Sequence, residues 1–328
     1  MRHDERIFVA GHEGLLGSAL MRILAKRGHV NVITRTHAEL DLGDARAVDA
    51  FFSEQKPAYV VLAAGMTGGI AANKAYPADL FHANIAIQDA VFEAARTHDA
   101  ANVVFFGSSC VYPREAPQPI SEDLLLTGPI EVTSEGYAAA KIAGLLACRA
   151  YNRQLAENRF IALLPNSMFG PNDNYDEQTG HVLSSLLIRF VRAAHAQCRG
   201  ESPKVVLWGT GSPMREFVYV DDVARAALFA IEHASELENR HYNVGSGTDL
   251  SIRDLAETIA RTAGYTGDVE WDTSKPDGAP RKLLDSADLL ALGWEPEVEL
   301  EEGIRRTRDW LIENEASPRE SWQRVRTR

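Results

Sequence analysis

Cysteine is scarce in this sequence, and its few cysteines are far apart. The 328 residues include three, Cys110, Cys148 and Cys198. Disulfide frameworks and zinc sites need cysteines, or cysteines with histidines, at short and regular spacings. We therefore expect neither kind of site, and we interpret Cys148 and Cys198 as packing or surface residues. Cys110 differs from them because it follows two serines at a predicted strand end.

Long apolar runs and a basic stripe are missing as well. No stretch of about 18 apolar residues is present, so a membrane-spanning helix is not expected. The apolar run Ile7–Ala10 is too short for the core of a signal peptide. Lysine and arginine number 34 against 46 aspartates and glutamates, and no basic stripe is present that would bind nucleic acid. We expect a cytoplasmic protein that binds neither membranes nor nucleic acids.

The first half of the chain alternates short apolar runs with helical patterns. Strands are predicted at Ile7–Ala10, Val30–Thr34, Tyr59–Ala64, Val103–Gly107 and Phe160–Leu164, and helices at Leu15–Arg27, Ala45–Gln55, Ala83–Thr97 and Glu135–Gln154. Strands that are apolar throughout and separated by helices are typical of a parallel sheet covered on both faces. The predicted fold class is therefore α/β, with a Rossmann-type doubly wound parallel sheet.

The pattern becomes mixed after Pro165. Strands are predicted at Val205–Trp208, Phe217–Val220, Tyr242–Val244 and Val269–Trp271, helices at His181–Ala196, Val223–Glu232, Ile252–Ala263 and Leu300–Asn314, and loops at Asn166–Tyr175 and Ser274–Arg281. Asp221 and Asp222 are candidate N-caps for the second of these helices. We predict a dinucleotide-binding domain at 1–165, which 217–247 rejoins. A smaller mixed α/β substrate-binding domain is predicted at 166–216 and 248–328.

A glycine-rich loop connects the first predicted strand to the first helix. Its sequence is Gly11-His12-Glu13-Gly14-Leu15-Leu16-Gly17. In such loops one glycine permits a tight turn, another lets the backbone approach a pyrophosphate, and the third lets helix and strand pack closely. The free N–H groups at the helix N-terminus favour an anion. Since the loop lies between a first strand and a first helix, it predicts a nicotinamide dinucleotide site rather than an ordinary turn.

The residues after the second strand bear on the choice between NADP(H) and NAD(H). An acidic residue commonly binds the ribose of NAD at this point, and the run Thr34-Arg35-Thr36-His37 has none. Arg35 favours NADP(H), because a guanidinium can bind the 2′-phosphate. Glu13 favours NAD(H), because a carboxylate repels that phosphate. Asp41 and Leu42 are expected near the adenine.

A serine and a tyrosine–lysine pair form the candidate catalytic set. Ser108 follows the fourth predicted strand, at the edge where parallel sheets bind ligands. Tyr137 and Lys141 are four residues apart on a helix and share one face. We expect the ammonium to lower the pKa of the phenol, so that the tyrosine passes a proton at neutral pH. The spacing alone also fits a surface tyrosine over a lysine, but the glycine loop and Ser108 favour catalysis.

Several further blocks, in a fixed order, resemble one enzyme family. The blocks include Gly68-Gly69-Ile70, Tyr76-Pro77-Ala78-Asp79, Gly107-Ser108-Ser109-Cys110-Val111-Tyr112-Pro113, Ala140-Lys141-Ile142-Ala143-Gly144, Gly170-Pro171-Asn172-Asp173-Asn174, Pro213-Met214-Arg215-Glu216-Phe217 and Pro280-Arg281-Lys282-Leu283-Leu284-Asp285. The chain resembles the extended short-chain dehydrogenases/reductases that act on nucleotide sugars. Within them it is most similar to the GDP-4-keto-6-deoxy-mannose 3,5-epimerase/4-reductases, along nearly its whole length.

This resemblance implies roles for individual residues. It implies that Ser108, Tyr137 and Lys141 reduce the 4-keto group, and that Cys110 and His181 are the acid/base pair of the epimerisation. The Cys110 thiol and the His181 imidazole are both expected to titrate near neutral pH. Further cofactor contacts are implied at Ala63, Ala64, Gly65, Pro165, Asn166, Met168 and His181. Contacts to the GDP-linked 4-keto sugar are implied at Ser109, Cys110, Asn166, Arg189, Trp208, Arg215, Asp277 and Lys282.

Other readings of the resemblance stay open. Arg215 and Arg281 are candidates for holding the diphosphate, although either is equally explained by a surface ion pair. The substrate is alternatively another GDP-4-keto sugar, such as a 6-deoxy-heptose or a colitose precursor, or the enzyme is a nucleotide-sugar 4-epimerase. A dinucleotide-binding redox sensor is disfavoured, because a sensor does not need the Ser108, Tyr137 and Lys141 set. The resemblance also implies a homodimer with a four-helix interface.

Overall fold

Strands and helices alternate through a computed structural model of the chain, which describes residues 1, 3–177 and 179–314. The strands are β1 (Ile7–Ala10), β2 (Val32–Ile33), β3 (Tyr59–Leu62), β4 (Asn102–Phe106), β5 (Phe160–Pro165), β6 (Ser167–Phe169), β7 (Val205–Trp208), β8 (Met214–Tyr219), β9 (His241–Val244), β10 (Asp249–Ser251), β11 (Val269–Asp272) and β12 (Arg281–Lys282). The helices are α1 (Leu15–Lys26), α2 (Ala45–Gln55), α3 (Ile70–Ala75), α4 (Pro77–Thr97), α5 (Glu135–Leu155), α6 (Val182–Cys198), α7 (Val220–Glu232), α8 (Ile252–Ala263), α9 (Ala287–Ala291) and α10 (Leu300–Asn314).

The larger sheet has six parallel strands in the order β2-β1-β3-β4-β5-β9. Along β1, Ile7 and Val9 face a core that includes residues of α1 and α7, whereas Phe8 and Ala10 face a core that includes residues of α2, α4 and α5. Fully burying a side chain such as Phe8 contributes roughly 1.5–3 kcal/mol. Helices cover both faces, so the predicted doubly wound α/β fold is confirmed. Since all six strands are parallel, their carboxyl ends lie along one edge.

A second group of strands follows β5. The antiparallel pair β10–β8 is extended by β12, which runs parallel to β8, and β6 also pairs with β8. A separate parallel pair joins β7 and β11. Helices α6, α8 and α10 pack over these strands around a third core that includes Phe190, Leu255 and Ile304. The strands β8 and β12 carry several of the residues that the resemblance connects with the sugar nucleotide.

Some predicted boundaries are wrong. The second strand is only Val32–Ile33 instead of 30–34, and Val30 is 78% exposed. Helix α4 begins at Pro77 rather than Ala83, because a proline fits the first helical position. The predicted loop 166–175 contains β6, which forms by pairing with the distant β8. Among the residues that the structure describes, no helix is long and apolar enough to cross a membrane.

The predicted N-cap of α7 is also wrong. The helix begins at Val220 with Tyr219 as its N-cap, so both aspartates lie in the first turn. Asp222 is fully buried there and accepts hydrogen bonds from Arg225 (2.6 Å) and from the backbone N–H of Val298 (3.1 Å). Its carboxylate joins α7 to the segment before α10 instead of capping the helix.

Candidate active site

The three glycines of the first loop differ in how much space the surrounding backbone leaves for a side chain. Gly11 has φ +83°, and a Cβ there would lie 2.7 Å from the Cα of Ala64. A Cβ on Gly17 would lie 2.0 Å from the carbonyl oxygen of Gly11. A Cβ on Gly14 would make only an ordinary contact of 3.5 Å with that same oxygen. The fold thus requires glycine at 11 and 17, whereas glycine at 14 leaves the backbone open to a ligand.

The N-terminus of α1 at this loop has the features of an anion site. Gly14 is the N-cap of the helix, and no side chain caps the first N–H groups. Leu15 and Leu16 form the first turn, with Leu16 buried in the core. The Nδ1 atom of His12 is buried, and it has no hydrogen-bond partner among the described residues. These free donors and this free ring nitrogen fit the pyrophosphate of a dinucleotide.

Arg35 lies half-buried just after β2. Its guanidinium carbon is 5.3 Å from the ring centre of Phe51, and its Nη1 donates to the Thr34 carbonyl at 2.8 Å. In the described part of the chain no carboxylate lies within ion-pair distance of it. The nearby Asp41 accepts from the backbone N–H of Gly43 (2.9 Å), and Leu42 packs against the core beneath α2. The free guanidinium fits a 2′-phosphate.

The strand ends next to this loop connect it with the catalytic set. Ala63 donates its backbone N–H to the Ala10 carbonyl at 3.0 Å. Ala64 lies against Gly11, as the short approach to its Cα indicates. A Cβ on Gly65 would lie 3.6 Å from the Nζ of Lys141. The segment Ala63–Gly65 therefore lies between the glycine loop and Lys141.

The predicted catalytic residues come together at the end of β4. The thiol of Cys110 donates to the Ser108 hydroxyl at 3.2 Å, and Ser108 is close enough to Tyr137 to lower the pKa of its phenol. Lys141 donates from Nζ to the Phe106 carbonyl at 2.9 Å, and its Nζ is 5.8 Å from the ring centre of Tyr137. Ser108 and Cys110 follow β4 directly. Helix α5 brings Tyr137 and Lys141, which come later in the sequence, to the same strand end.

The predicted direction of the Tyr137 pKa shift is wrong. Burial raises the pKa of the phenol well above its ordinary value, and the charge of Cys110 adds to this effect. Burial also lowers the pKa of Lys141 to about 8. Desolvation disfavours the charged form of each group, and it is the largest cause of both pKa shifts. Tyr137 consequently keeps its proton at neutral pH, which suits a proton donor.

The expected titration of Cys110 near neutral pH is wrong for the same reason. Burial raises the pKa of the thiol, while the positive charges of Lys282 and Lys141 lower it. The residue is therefore a neutral thiol flanked by two cations. Those cations stabilise a thiolate once the proton leaves. The neighbouring Ser109 is 8% exposed in a turn of 3-10 helix, so little of its side chain is accessible.

His181 belongs to a different element from the β4 cluster. It is the exposed N-cap residue of α6. Its charge lowers the pKa of the buried Asp173, although burial raises that pKa more strongly. The loop before His181 contacts the Gly68–Ile70 block, because a Cβ on Gly69 would lie 3.2 Å from the Thr179 carbonyl. This block therefore packs against the loop that carries His181.

Two cations lie side by side on β8 and β12. Arg215 pairs in register with Lys282. Arg215 donates to the Met214 carbonyl at 2.7 Å, and burial lowers the pKa values of both side chains. In the described ranges, no carboxylate lies within 4 Å of either cation. Two partly buried charges that no carboxylate contacts directly, with Glu131 acting on Lys282 only from a longer distance, fit a diphosphate. Arg281 does not, since its guanidinium is bound to both carboxylate oxygens of Asp249, at 2.6 and 3.1 Å.

The other predicted substrate contacts lie in α6, in β7 and in the loop between β11 and β12. Arg189 donates to the carbonyls of Glu177 (3.0 Å) and Val206 (3.3 Å). Trp208 is 69% exposed, with the Lys275 Nζ 5.7 Å from its ring centre. Asp277 accepts from the backbone N–H and the hydroxyl of Thr210, at 2.9 and 2.7 Å. The exposed indole of Trp208 can stack with a base. The Asp277 carboxylate instead connects its loop to the turn that contains Thr210.

The segment predicted to line the nicotinamide has one buried polar member. Pro165 ends β5 and Met168 lies in β6. The Asn166 amide donates to the Glu216 carboxylate, and more weakly to the Lys282 carbonyl at 3.4 Å. Its Oδ1 is buried and has no partner among the described residues. The amide nitrogen of Asn166 is thus hydrogen-bonded within the protein, and only its oxygen still lacks a hydrogen bond that a ligand could make.

Two residues near the site, Glu216 and Tyr112, were not identified as site residues from the sequence. Glu216 is fully buried beside Arg215 and accepts from Asn166. Tyr112, two residues after Cys110, hydrogen-bonds the Asn243 oxygen at 2.6 Å. Both residues lie in blocks that carry the resemblance. Their partners come from other parts of the chain, and no spacing within the sequence indicates them.

The chain is similar to known proteins over nearly its full length. Residues 7–245 match the family described as NAD dependent epimerase/dehydratase. GDP-L-fucose synthase 1 of Arabidopsis thaliana is 48% identical, with 94% of each chain covered. GDP-L-fucose synthase of Escherichia coli is 46% identical, with 95% of this chain and 98% of that protein covered. A solved GDP-mannoheptose C4 reductase from Campylobacter jejuni with NADP bound is 35% identical, has a TM-score of 0.86, and covers 95% of this chain and 99% of its own.

Proposed function

The chain belongs to the NAD dependent epimerase/dehydratase family, and on that basis we propose that it is an NADPH-dependent 3,5-epimerase/4-reductase. The proposed reaction converts GDP-4-keto-6-deoxy-mannose to GDP-L-fucose. Residues 1–165 and 217–247 bind the dinucleotide, and the domain of 166–216 and 248–328, of which 315–328 lie outside the described residues, holds the sugar nucleotide. Relatives named GDP-L-fucose synthase at 46–48% identity support this assignment.

One contact supports the assignment most directly. The Cys110 thiol and the Ser108 hydroxyl are hydrogen-bonded at 3.2 Å. Reduction of a ketone needs only the serine, tyrosine and lysine. A thiol beside that serine, with two lysines acting on its charge, supplies a base for a second reaction on the same sugar. An epimerase/reductase uses both.

Epimerisation comes first in the proposed mechanism. The 4-keto group acidifies the C–H bonds at C3 and C5. Cys110 first loses its proton to water, and its thiolate, which the Lys282 and Lys141 ammonium groups stabilise, then removes a proton from one face of the ring. The negative charge moves to O4, where Ser108 and Tyr137 donate hydrogen bonds. His181 returns a proton to the opposite face, and its exposed position allows it to regain a proton from water.

Reduction then uses the same oxygen. The bound NADPH supplies the hydride that reduces C4. Tyr137 gives its proton to O4 as negative charge develops there, and its raised pKa keeps that proton in place until this step. Lys141, held on the Phe106 carbonyl, stabilises the phenolate that results. Ser108 keeps the oxygen in position throughout.

The cofactor assignment depends on the glycine loop and Arg35. The open backbone at Gly14 and the unpaired His12 nitrogen receive the pyrophosphate. The Arg35 guanidinium receives the 2′-phosphate and so favours NADPH over NADH. The NADP-bound reductase of similar structure supports the same preference.

A homodimer through α4 and α5 is part of the proposal. These two helices pack against each other on one face of the large sheet. Each exposes an apolar side chain, since Phe81 is 43% and Leu146 is 40% exposed. Two such pairs of helices form a four-helix interface. Light scattering tests the dimer, and Leu146→Glu is expected to weaken it.

A reductase for another GDP-4-keto sugar is the second candidate. The similarity to the GDP-mannoheptose C4 reductase favours it. The two candidates share the reduction and differ in the substrate that they accept. A panel of GDP-4-keto sugars with NADPH separates them by rate. A nucleotide-sugar 4-epimerase would consume no cofactor, whereas the proposed enzyme oxidises one NADPH per sugar.

A further inference from the structure

Glu216 is a buried carboxylate that the mechanism above does not use. It lies on β8 between Arg215 and Phe217, with no exposed surface. It accepts hydrogen bonds from the side-chain amide of Asn166 and from the backbone N–H groups of Gly247 (2.8 Å) and Leu284 (3.1 Å). A carboxylate buried in this way is retained only if donors replace the water that it has lost.

The donors come from three separate segments. Asn166 follows β5 and Gly247 follows β9, and both of these strands belong to the six-stranded sheet. Leu284 follows β12, which pairs with β8 in the smaller sheet. A Cβ on Gly245 would lie 2.4 Å from the Glu216 Oε1, so the backbone approaches the carboxylate closely. Glu216 thus holds the ends of two large-sheet strands against the strands of the smaller sheet.

The same carboxylate fixes the backbone beneath both unpaired cations. Arg215 is its neighbour in sequence, and Lys282 pairs with Arg215 in register. Leu284 lies two residues after Lys282, and the Asn166 amide reaches the Lys282 carbonyl at 3.4 Å. A displacement of Glu216 therefore moves the two cations relative to each other and to the large sheet.

We propose that Glu216 is a positioning residue that sets the spacing of Arg215 and Lys282 for the diphosphate of the sugar nucleotide. It contacts the substrate only through these neighbours. This inference rests on the proposed function, because it takes the two cations as the diphosphate site. The Gly11–Gly17 loop and Arg35, which bind the phosphates of the dinucleotide in the proposal, lie outside this arrangement, whereas Asn166 belongs to the segment predicted to line the nicotinamide.

The chemistry of the contacts requires a carboxylate rather than an amide. Asn166, Gly247 and Leu284 all donate, and Glu216 offers acceptors only. Glu216→Gln places an N–H₂ group against at least one of these donors, which leaves buried N–H groups without an acceptor. The strands must then separate locally, although the side chain keeps its size.

The test compares Glu216→Gln with a matched control by calorimetric titration of GDP and of NADP⁺. The control is Asp222→Asn, which also alters a fully buried carboxylate that accepts a backbone N–H, but joins α7 to the segment before α10. We expect Glu216→Gln to weaken GDP binding by about tenfold or more, since small displacements of binding groups have effects of this size. Its NADP⁺ affinity should fall much less than its GDP affinity, because of the predicted cofactor contacts only Asn166 is disturbed. Asp222→Asn should leave GDP binding unchanged although its melting temperature falls.

Three outcomes overturn the inference. Glu216→Gln binds GDP as tightly as the wild type, or loses GDP and NADP⁺ affinity equally, or Asp222→Asn weakens GDP binding as much. If the Gln variant does not fold, Glu216→Asp keeps the charge and is expected to weaken GDP binding, because its shorter side chain cannot reach all three donors. A wild-type protein that binds NADP⁺ but not GDP overturns the proposed function itself, so the two failures are distinguishable.

Discussion

The Sγ of Cys110 lies 3.2 Å from the Oγ of Ser108, within a hydrogen bond. Ser108 also acts on the Tyr137 phenol, whose pKa it lowers. In the proposed mechanism, one serine therefore lies between the base for epimerisation and the proton donor for reduction. A sugar held with its O4 at Ser108 can undergo both reactions without leaving the site, which explains why one chain carries two acid/base systems.

Replacing Tyr137 by phenylalanine should stop reduction and spare cofactor binding. The variant lacks the proton donor to O4, so the rate of NADPH oxidation with the 4-keto sugar should fall by about a hundredfold or more. The ring remains, and NADP⁺ titration should give an unchanged Kd. Normal NADPH oxidation by this variant would remove Tyr137 from the mechanism.

Replacing Cys110 by serine should separate the two reactions. A serine hydroxyl is a far weaker acid than a thiol and does not form the base at neutral pH. Deuterium incorporation from D₂O at C3 and C5, followed by NMR, should disappear. Reduction of the unepimerised 4-keto sugar should persist. Exchange at the wild-type rate would show that another group is the base.

The glycines of the first loop should respond differently to alanine. Gly17→Ala places a methyl group against the Gly11 carbonyl and should destabilise the fold by about 1–3 kcal/mol. Gly14→Ala meets no such obstacle in the protein and should retain most of the stability, but its methyl group occupies the approach of the pyrophosphate. Thermal denaturation and NADP⁺ titration measure both effects. Unchanged NADP⁺ affinity in Gly14→Ala would contradict the placement of the cofactor.

The rate of reduction should fall at alkaline pH because of Lys141. Burial lowers the pKa of its ammonium to about 8, so the positive charge is present below that pH and is lost as the pH rises through it. The profile of kcat/KM should therefore decline above about pH 8. Lys141→Arg keeps its charge over this range, so the decline should disappear even if the variant is slower. A decline at the same pH in that variant would assign it to another group.

Local sequence signals predict several helices to the residue. The bounds of α2, α8 and α10 agree with the structure, because apolar periodicity and capping residues coincide there. Asp44 caps α2 by accepting from Arg46 and Ala47, and Gly264 ends α8 in a left-handed conformation. The glycine loop and the Tyr137–Lys141 spacing are local too, so the site around β4 could be predicted in outline.

Features that depend on distant partners could not be predicted. The strand β6 forms only because β8 pairs with it, across some fifty residues of sequence. Arg281 is not available to a diphosphate because it is ion-paired with Asp249, which lies 32 residues away in the sequence. The pKa directions at Tyr137 and Cys110 follow from burial, which the whole fold determines. The role of Glu216 could not be predicted from the sequence either, because its hydrogen-bond donors come from three separate segments.

The central claim is that one site epimerises and then reduces a GDP-linked 4-keto sugar. The most direct test incubates the protein with GDP-4-keto-6-deoxy-mannose and NADPH and identifies the product by NMR. We predict GDP-L-fucose, with inverted configuration at C3 and C5 and one NADPH oxidised per sugar. A reduced sugar that retains the original configuration at both carbons, or no NADPH oxidation, would contradict the account.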